Sequence, residues 1–294
     1  MEKKKIRFII NPKSGVSKKE YLADQITQHI DHQFYDLDIQ WTTHVGHAKT
    51  LSLEAVKKGY DTVVAVGGDG SVNEVASQLR HTGINLGIIS AGSGNGFAGN
   101  LGLERNNVVD ALEVINKRNI QLIDSCEANG NFYINVAGFG FDGKISYNSK
   151  KGTKRGIIMY VREVLKESFN KKFFKADILI DGKAYHGEFI TIVVANAAMY
   201  GYNFVVAPDA DLQDGLLDIV MIKKTSIYKY FLNSYRFLNR SISQSSFVDI
   251  YRGKEVSIKS YDDQIYYHVD GEGMKGPQEI KFSILPKSIY ILRH

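Results

Sequence analysis

The stretch VVAVGGDGSVNEVASQ, residues 63–78, runs from an apolar strand through a glycine-rich turn into the start of a helix. Backbone N–H groups at such a turn, together with the helix dipole, attract an anion. Ser71 and Glu74 also have the S-x-x-E spacing of a capping box, which would account for both residues without a ligand. A cap does not account for three glycines around Asp69. The stretch therefore favours a phosphate-binding turn, although it lacks the lysine of a Walker A motif.

Strands and helices alternate around this turn through the first part of the chain. The pattern predicts strands at 6–11, 38–43, 61–68 and 85–90, and helices at 21–30, 47–59 and 72–80. Such alternation is typical of a doubly wound, mostly parallel sheet covered on both faces. Ligands of these sheets bind at the carboxyl ends of the strands, where the glycine-rich turns fall.

The pattern changes after about residue 124. Residues 175–198 predict two strands joined by a D-G hairpin turn. Further short strands are predicted at 216–224, 255–260 and 278–285, with one helix at 227–238 and a helical insertion at about 153–170. We therefore predict an α/β domain at 1–124 and a mainly antiparallel β domain at 125–294, whose last residues return to the first domain.

Composition limits the function classes. The single cysteine, Cys126, excludes an intramolecular disulfide and a Cys-rich zinc site, and predicts a cytoplasmic location. The net charge of +5 is concentrated at 149–156 and 169–175, which indicates a solvated surface or one that meets anionic lipid. Nucleic acid is not expected, because no recognition motif accompanies the charge. The uncharged segment 189–208 approaches the length of a membrane span, but its polar interruptions favour two strands with a turn.

Two further turns follow predicted strands at the same edge of the sheet. SAGSGNGFAGNLG, residues 90–102, contains a G-x-G-x-x-G spacing, but it follows the fourth strand, so a dinucleotide-binding oxidoreductase is disfavoured. NPKSG, residues 11–15, follows the first strand and carries Lys13, which could contact a phosphate. Three small-residue turns at one sheet edge strengthen the prediction of an anion site there.

Two acidic stretches lie in the second half of the chain. PDADLQDGLLDI, residues 208–219, groups Asp209, Asp211 and Asp214, which suit Mg²⁺ or Ca²⁺ or form an ordinary turn. HVDGEG, residues 268–273, would direct the carboxylates of Asp270 and Glu272 to one face if its backbone is extended. Crowding would then raise one pKa, as a general base requires. The alternative is a D-G hairpin turn.

Together these motifs resemble the diacylglycerol kinase catalytic-domain family, which includes bacterial lipid kinases, sphingosine kinases and ceramide kinases. The resemblance rests on NPKSG, Thr43 ahead of GHA, GGDGSVNE, AGSGNGFA, PDADLQDGLLDI and DGE at 270–272, in the family's order over nearly the whole chain. It implies a nucleotide-binding α/β domain, a β-rich lipid-substrate domain, and an active site in the cleft between them. The implied reaction moves the γ-phosphate of ATP, with Mg²⁺, to a lipid hydroxyl such as that of diacylglycerol or a sphingoid base.

The resemblance also implies roles for individual residues. Glu272 is expected to be the general base, beside Asp270, and Asp69 to orient Mg²⁺ and the phosphates. Asp211, Asp214 and the Leu216 carbonyl are expected to match the family's second-domain magnesium site. The expected ATP contacts are Asn11, Pro12, Lys13, Ser14, Gly15, Thr43, Gly67, Gly68, Asp69, Gly70, Ser71, Val72, Asn73 and Ser93.

The chain departs from many bacterial members at three positions. Ser71 and Ser93 stand where they have threonine, and Gly96 where they have aspartate, so the G-S-G-N form is closer to the sphingosine kinases. NAD kinase, which shares the GGDG turn, and a non-catalytic nucleotide- or lipid-binding module remain the alternatives. The expected partners are ATP and a lipid at a membrane surface, with a homodimer left open and no nucleic acid. The expected location is the cytoplasm, peripheral to the membrane.

Overall fold

The computed structural model describes residues 2–15, 20–149, 173–262 and 264–294. The chain divides into two compact units, Met1–Ile123 with Lys287–His294, and Asp124–Pro286. The helix predicted at 153–170 and most of the basic segments 149–156 and 169–175 lie outside the described residues. Among the described residues, no helix has the length and apolarity that crossing a bilayer requires.

The first unit is the predicted parallel α/β sheet. Its elements are β1 (Lys4–Ile10), α1 (Glu20–His29), β2 (Tyr35–Trp41), α2 (His47–Lys57), β3 (Thr62–Gly67), α3 (Asp69–Leu79), β4 (Asn85–Ser90), α4 (Gly96–Asn100) and α5 (Val108–Lys117). The strand order β2-β1-β3-β4 is parallel throughout, and Tyr290 and Ile291 near the chain end add a further parallel pairing to β4. Every residue of β3 is buried, as expected of a strand with helices on both sides.

Alternate residues of the strands pack on opposite faces of this sheet. One apolar cluster joins Phe8, Val64 and Ile89 to residues of α1 and α5, such as Ile26 and Leu112. The helices therefore pack on the faces of the sheet, and the turns lie at the carboxyl ends of its strands.

Arg7 is a charged residue buried within β1. Its Nε donates to Asp38 at 2.6 Å, and its Nη1 and Nη2 donate to the Leu51 carbonyl at 3.0 Å and the Tyr60 hydroxyl at 3.2 Å. Burial by itself would raise the pKa of Asp38, but hydrogen bonds from Gln40, Tyr60 and Arg7 outweigh it and hold that pKa below its usual value. The positive charge of Arg7 is therefore buried in the sheet with both an ion-pair partner and hydrogen-bond acceptors.

The second unit is mainly antiparallel. Its elements begin with β5 (Ile120–Ala128), which starts in the first unit, and continue with β6 (Asn131–Tyr133), β7 (Val136–Gly140), α6 (Phe141–Ser149), β8 (Phe174–Ile180), β9 (Lys183–Ala195), β10 (Leu217–Lys223), α7 (Ile227–Asn233), β11 (Val248–Gly253), β12 (Glu255–Ser260), β13 (Ile265–Val269), β14 (Glu272–Gly276) and β15 (Glu279–Leu292). The strands follow the order β14-β13-β7-β9-β8-β12-β15, and β10 joins β9 to β11. This arrangement confirms the predicted antiparallel β domain.

Two predictions for residues 175–208 have different outcomes. The D-G turn between β8 and β9 is confirmed, because Asp181 and Gly182 both have positive φ, as a two-residue hairpin turn of this kind requires. The second strand predicted within 189–208 is wrong. After β9 the amides of Asn196 and Ala197 both donate to the Asn135 carbonyl, so the chain leaves the sheet, and only an isolated bridge joins Met199 to Val205.

Candidate active site

The turns after β1, β3 and β4 meet at one edge of the first unit's sheet. A Cβ on Gly92 would lie 2.5 Å from the Cα of Gly68, and one on Gly15 would overlap the Ala91 carbonyl. These approaches exclude side chains, and Gly15 also has a positive φ of 67°. The three turns predicted to share a sheet edge are therefore in direct contact, backbone against backbone.

Asn11 and Ser71 connect the first two turns. Asn11 donates from Nδ2 to the Ser71 hydroxyl at 3.1 Å, and its Oδ1 accepts from the Lys13 amide at 2.9 Å. Ser14 donates back to the Asn11 carbonyl at 2.9 Å. Pro12 and Lys13 are exposed at the tip of this turn. The asparagine thus orders the NPKSG turn beside the start of α3.

The alternative interpretation of Ser71 and Glu74 as a capping box is wrong. Gly68, not Ser71, is the N-cap of α3, so Ser71 lies inside the first turn of the helix. Glu74 instead accepts from the amides of Gly46 at 3.0 Å and Ala48 at 3.2 Å, at the start of α2. A glutamate from a neighbouring helix supplies the acceptor because Gly46 has no side chain with which to cap α2.

Asp69 joins the GGDG turn to the turn after β4. Its carboxylate accepts from the Phe97 amide at 3.2 Å, at the start of α4. Burial raises the pKa of Asp69, while hydrogen bonds from the backbone amides of 95–97 oppose that rise. The Asp69 carboxylate therefore takes up the amides at the start of α4 and fixes this turn against the start of α3. Gly67 and Gly70 flank the turn, whereas Val72 packs in the core and Asn73 is half-buried.

The turn after β4 closes on itself through Asn95. This residue has a left-handed backbone, and its side chain pairs with the amide of Gly92 at 3.0 Å and the carbonyl of Gly92 at 2.8 Å. Ser93 is exposed at the tip of the resulting loop. The G-x-G-x-x-G spacing therefore encodes an asparagine-closed loop followed by the short helix α4.

Thr43 follows β2 at the same edge and contacts two histidines that sequence reasoning missed. Its amide donates to Nδ1 of His47 at 3.1 Å, and its hydroxyl lies 2.9 Å from Nδ1 of His44. The two imidazole rings stack with centroids 4.8 Å apart. The only signal in the sequence was the pair of histidines on either side of the V-G step, which is short and common.

In the second unit, Asp270 is the first residue of a tight turn and Glu272 follows that turn. Asp270 and Gly271 have φ values of 47° and 82°, so of the two alternatives left open for this stretch the D-G hairpin turn is confirmed and the extended backbone is not. The Asp270 carboxylate accepts from the amides of residues 134–136 at 3.0–3.1 Å. Glu272 is exposed and begins β14, opposite Val269.

The acidic loop before β10 is ordered by its own carboxylates. Asp211 accepts from the Gln213 amide at 3.0 Å, and Asp214 accepts from the Leu216 amide at 2.9 Å. The fully buried Asp124 accepts from the Gly215 amide at 2.8 Å, beneath this loop. Sequence reasoning missed Asp124, because a single carboxylate near the end of an apolar run carries no motif.

Arg252 offsets part of the negative charge of this loop. Its Nε lies 3.0 Å from Asp218, its Nη1 lies 3.7 Å from Asp214, and its Nη2 donates to the Asp209 carbonyl. Burial raises the pKa of Asp218, and the attraction of Arg252 opposes that rise. Within the described part of the chain, no three His, Cys, Asp or Glu side chains gather as metal ligands. A cation here would need backbone carbonyl or water ligands as well.

Comparison with known proteins covers both units. The family model of the diacylglycerol kinase catalytic domain matches residues 5–128, and that of the YegS C-terminal NAD kinase beta sandwich-like domain matches residues 135–293. A diacylglycerol kinase of Bacillus subtilis strain 168 is 31% identical over 232 residues, which is 77% of this chain and 76% of the relative.

Two further proteins extend the similarity along the chain. A diacylglycerol kinase of Staphylococcus saprophyticus is 25% identical over 275 residues, which is 92% of this chain and 89% of the relative. The crystal structure of a diacylglycerol kinase from Bacillus anthracis Sterne aligns with a TM-score of 0.76 at 23% identity, covering 100% of this chain and 98% of that one. At this identity the structural likeness establishes the fold.

Proposed function

Since the chain belongs to the diacylglycerol kinase catalytic-domain family, we propose that this kinase transfers the γ-phosphate of ATP to a lipid hydroxyl. The observation that carries the proposal is the contact between the three glycine turns at one sheet edge, with Gly68 against Gly92 and Gly15 against Ala91. Their backbone amides, with those at the start of α3, are suited to a polyphosphate.

The nucleotide would be held mainly by main-chain groups in the first unit. Phosphoryl transfer passes through a loose transition state, so catalysis depends on positioning and on neutralising charge. Gly67 to Asn73 supply amides, Asn11 and Ser71 order the turns, and Asp69 would orient a cation near the phosphates. Thr43 and Ser93 are exposed hydroxyls at the same edge and suit further contacts.

Mg²⁺ is the metal that the family implies, and it would neutralise charge on the triphosphate. The oxygen donors of Asp69, and of Asp211, Asp214 and the Leu216 carbonyl in the second unit, are of the kind that Mg²⁺ prefers. Near the acidic loop, the buried Oδ2 of Asp218 has no hydrogen-bond partner among the described residues. A buried acceptor oxygen without a donor supports a cation at the loop.

Glu272 is the proposed general base. The attacking lipid oxygen bonds to the γ-phosphorus while the bond to ADP breaks, and Glu272 takes the hydroxyl proton. Its position supports this role, because it is exposed at the start of β14, immediately after a turn that Asp270 anchors through three backbone amides. Asp270 would then serve the reaction by holding the turn.

The acceptor would be reached at a membrane surface. Large apolar side chains on α7 and just after it point outward, with Tyr228 and Phe231 each 78% exposed and Leu232 68% exposed. The surrounding segment 223–240 carries five basic and no acidic residues. Apolar side chains flanked by positive charge favour an anionic bilayer over a second copy of this chain, which would repel it. The named relatives support diacylglycerol as the acceptor.

NAD kinase is the second candidate, because the family model that matches residues 135–293 describes an NAD kinase-like β sandwich. One contact in the first unit argues against it. NAD kinase shares with this chain an N-E pair after the GGDG turn, here Asn73 and Glu74. Both carboxylate oxygens of Glu74 accept from amides at the start of α2. Because these two hydrogen bonds already occupy its carboxylate, Glu74 is poorly placed to bind NAD as an acceptor.

The test is a set of acceptors offered with [γ-³²P]ATP and Mg²⁺. We expect label on short-chain diacylglycerol or sphingosine and none on NAD. Glu272→Gln should lower kcat by about 10²–10⁴-fold with ATP binding retained, because a general base contributes rate and not nucleotide affinity. Glu255→Gln, on the exposed side of β12, is the matched control and should retain activity. Label on NAD alone would move the assignment to NAD kinase, and ATP binding without transfer to any acceptor would support a binding module.

A further inference from the structure

A buried chain of hydrogen bonds lies behind the D-G turn of the second unit. Asp142, on α6, accepts from Nε2 of His268 at 2.7 Å and from the Tyr200 hydroxyl. His268 is 1% exposed and Asp142 is 6% exposed. Polar groups buried this deeply destabilise a fold unless they are paired. Asp142 and Tyr200 lie outside the motifs that predicted the proposed site, and His268 opens the stretch 268–273 with no role predicted for it.

The chain of hydrogen bonds reaches the turn through His268. The Gly271 amide donates to Nδ1 of this histidine at 3.2 Å. Because Nδ1 accepts that bond, the ring proton of the neutral imidazole lies on Nε2, where Asp142 accepts it. The series Tyr200, Asp142, His268, Gly271 therefore ends one residue before Glu272.

Glycines on the neighbouring elements make room for this arrangement. A Cβ on Gly138 of β7 would overlap both the Asp142 carboxylate and the His268 ring. A Cβ on Gly143 of α6 would overlap the backbone of Tyr266 and Tyr267 in β13. Helix α6 therefore lies directly against β13, close enough for its aspartate to reach the histidine.

We propose that His268 and Asp142 are positioning residues that direct Glu272 through the Gly271 amide. The turn has two anchors, the Asp270 carboxylate on residues 134–136 and the His268 ring on Gly271. Loss of the second anchor leaves the hairpin formed but lets the Asp270–Gly271 peptide rotate, one residue before Glu272. A displacement of about 1 Å at a reacting group costs about 100-fold in rate. This inference rests on Glu272 being the general base.

Two substitutions separate the two bonds of the histidine. In His268→Asn the side-chain oxygen can occupy the place of Nδ1 and accept from Gly271, but the side chain is too short to reach Asp142. In His268→Gln the terminal amide can occupy the place of Nε2 and reach Asp142, but it does not accept from Gly271. We expect kcat to fall about 30–100-fold in His268→Gln and less than about fivefold in His268→Asn, with the KM for ATP unchanged in both.

Controls separate positioning from folding. His186→Gln removes a histidine that also bonds an aspartate, Asp177 at 2.6 Å, but is 68% exposed on β9, and it should not change kcat. Tyr200→Phe removes only the hydroxyl that donates to Asp142, and it should lower kcat by no more than His268→Asn does, because the aspartate keeps its bond from His268. Urea unfolding of each variant gives the stability against which the activities are compared. Equal kcat for His268→Asn and His268→Gln, or kcat losses that follow stability alone, would overturn the proposal.

The double variant with Glu272→Gln distinguishes this inference from the proposed function. If His268 acts through Glu272, adding His268→Gln to Glu272→Gln should lower kcat by less than about twofold. A full additional loss in the double variant would refute the positioning role and leave the general base intact. Normal turnover by Glu272→Gln alone would refute the general base, and the positioning role with it.

Discussion

A methyl group on Gly92 tests whether the contact between two turns forms the nucleotide site. The added Cβ would lie 2.5 Å from the Cα of Gly68 and 2.6 Å from Oδ1 of Asn95. Carbon atoms pack at about 3.5–4.0 Å, so the two turns would have to separate by about 1 Å. The overlap with Gly68 is with a backbone atom, which cannot move by a rotamer change. The overlap with Asn95 cannot be relieved by a rotamer change either, because that side chain is held by two hydrogen bonds to Gly92.

Two effects of Gly92→Ala follow from that displacement. Overpacking of this kind costs about 1–3 kcal/mol of unfolding free energy. Separation of the amides that hold the nucleotide should lower kcat/KM by about 100-fold, as expected for a displacement of about 1 Å. We expect the Kd for ATP to rise together with the loss of turnover.

Calorimetric titration with ATP, the kinase assay and urea unfolding measure these effects. Gly87→Ala is the comparison, because a Cβ on this residue of β4 would lie 2.9 Å from Cγ2 of Val64 and so overpacks the sheet outside the turns. Gly87→Ala should therefore lose unfolding free energy while ATP binding is retained. ATP affinity and turnover within twofold of the parent in Gly92→Ala, or an equal loss of ATP affinity in Gly87→Ala, would refute the reasoning.

Two further predictions concern the buried ion pair and the exposed apolar surface. Asp38→Asn removes the nearer of the two carboxylates beside the Arg7 guanidinium and leaves Glu54 at 3.7 Å. It should cost about 2–3 kcal/mol at pH 7, less than for a fully buried pair because the Asp38 side chain is 25% exposed. Because the folded-state pKa of Asp38 is lowered, the parent's advantage in urea unfolding should be full above about pH 4 and shrink as the pH falls below it, and a pH-independent difference would contradict this. The double variant Phe231→Ser with Leu232→Ser should bind anionic vesicles at least about tenfold more weakly in sedimentation, since each buried side chain contributes about 1.5–3 kcal/mol. Leu179→Ser, which alters an exposed leucine on β8, should bind them normally, and equal losses would argue against docking through α7.

Much of the fold was predictable because it follows from local patterns. Continuous apolar runs such as 62–67 predict strands buried on both faces, and the parallel sheet followed from their alternation with helices. The D-G pair at 181–182 predicted its hairpin, since glycine and aspartate tolerate the positive φ that a two-residue turn requires. These features depend on residues close together in the chain.

The errors arose where distant contacts outweigh local patterns. Ser71 has the spacing of a helix cap, but α3 begins at Asp69, and Glu74 satisfies amides at the start of α2 instead. Residues 196–208 have the composition of a strand, yet two amides there bond to the Asn135 carbonyl and end the strand. No window of sequence contains both partners of these contacts.

The candidate site likewise has some features that the sequence determines locally and others that depend on tertiary contacts. The sequence by itself determined the glycine turns and their order along the chain, because only glycine permits the backbone conformations and close approaches that they require. The tertiary structure decided which turns touch and that the Asp69 carboxylate contacts the start of α4. It also buried Asp142 and Asp124 beside turns that are distant from them in sequence. The physical reason is that a turn's conformation is set by its own residues, whereas a buried carboxylate takes its role from the donors that folding brings to it.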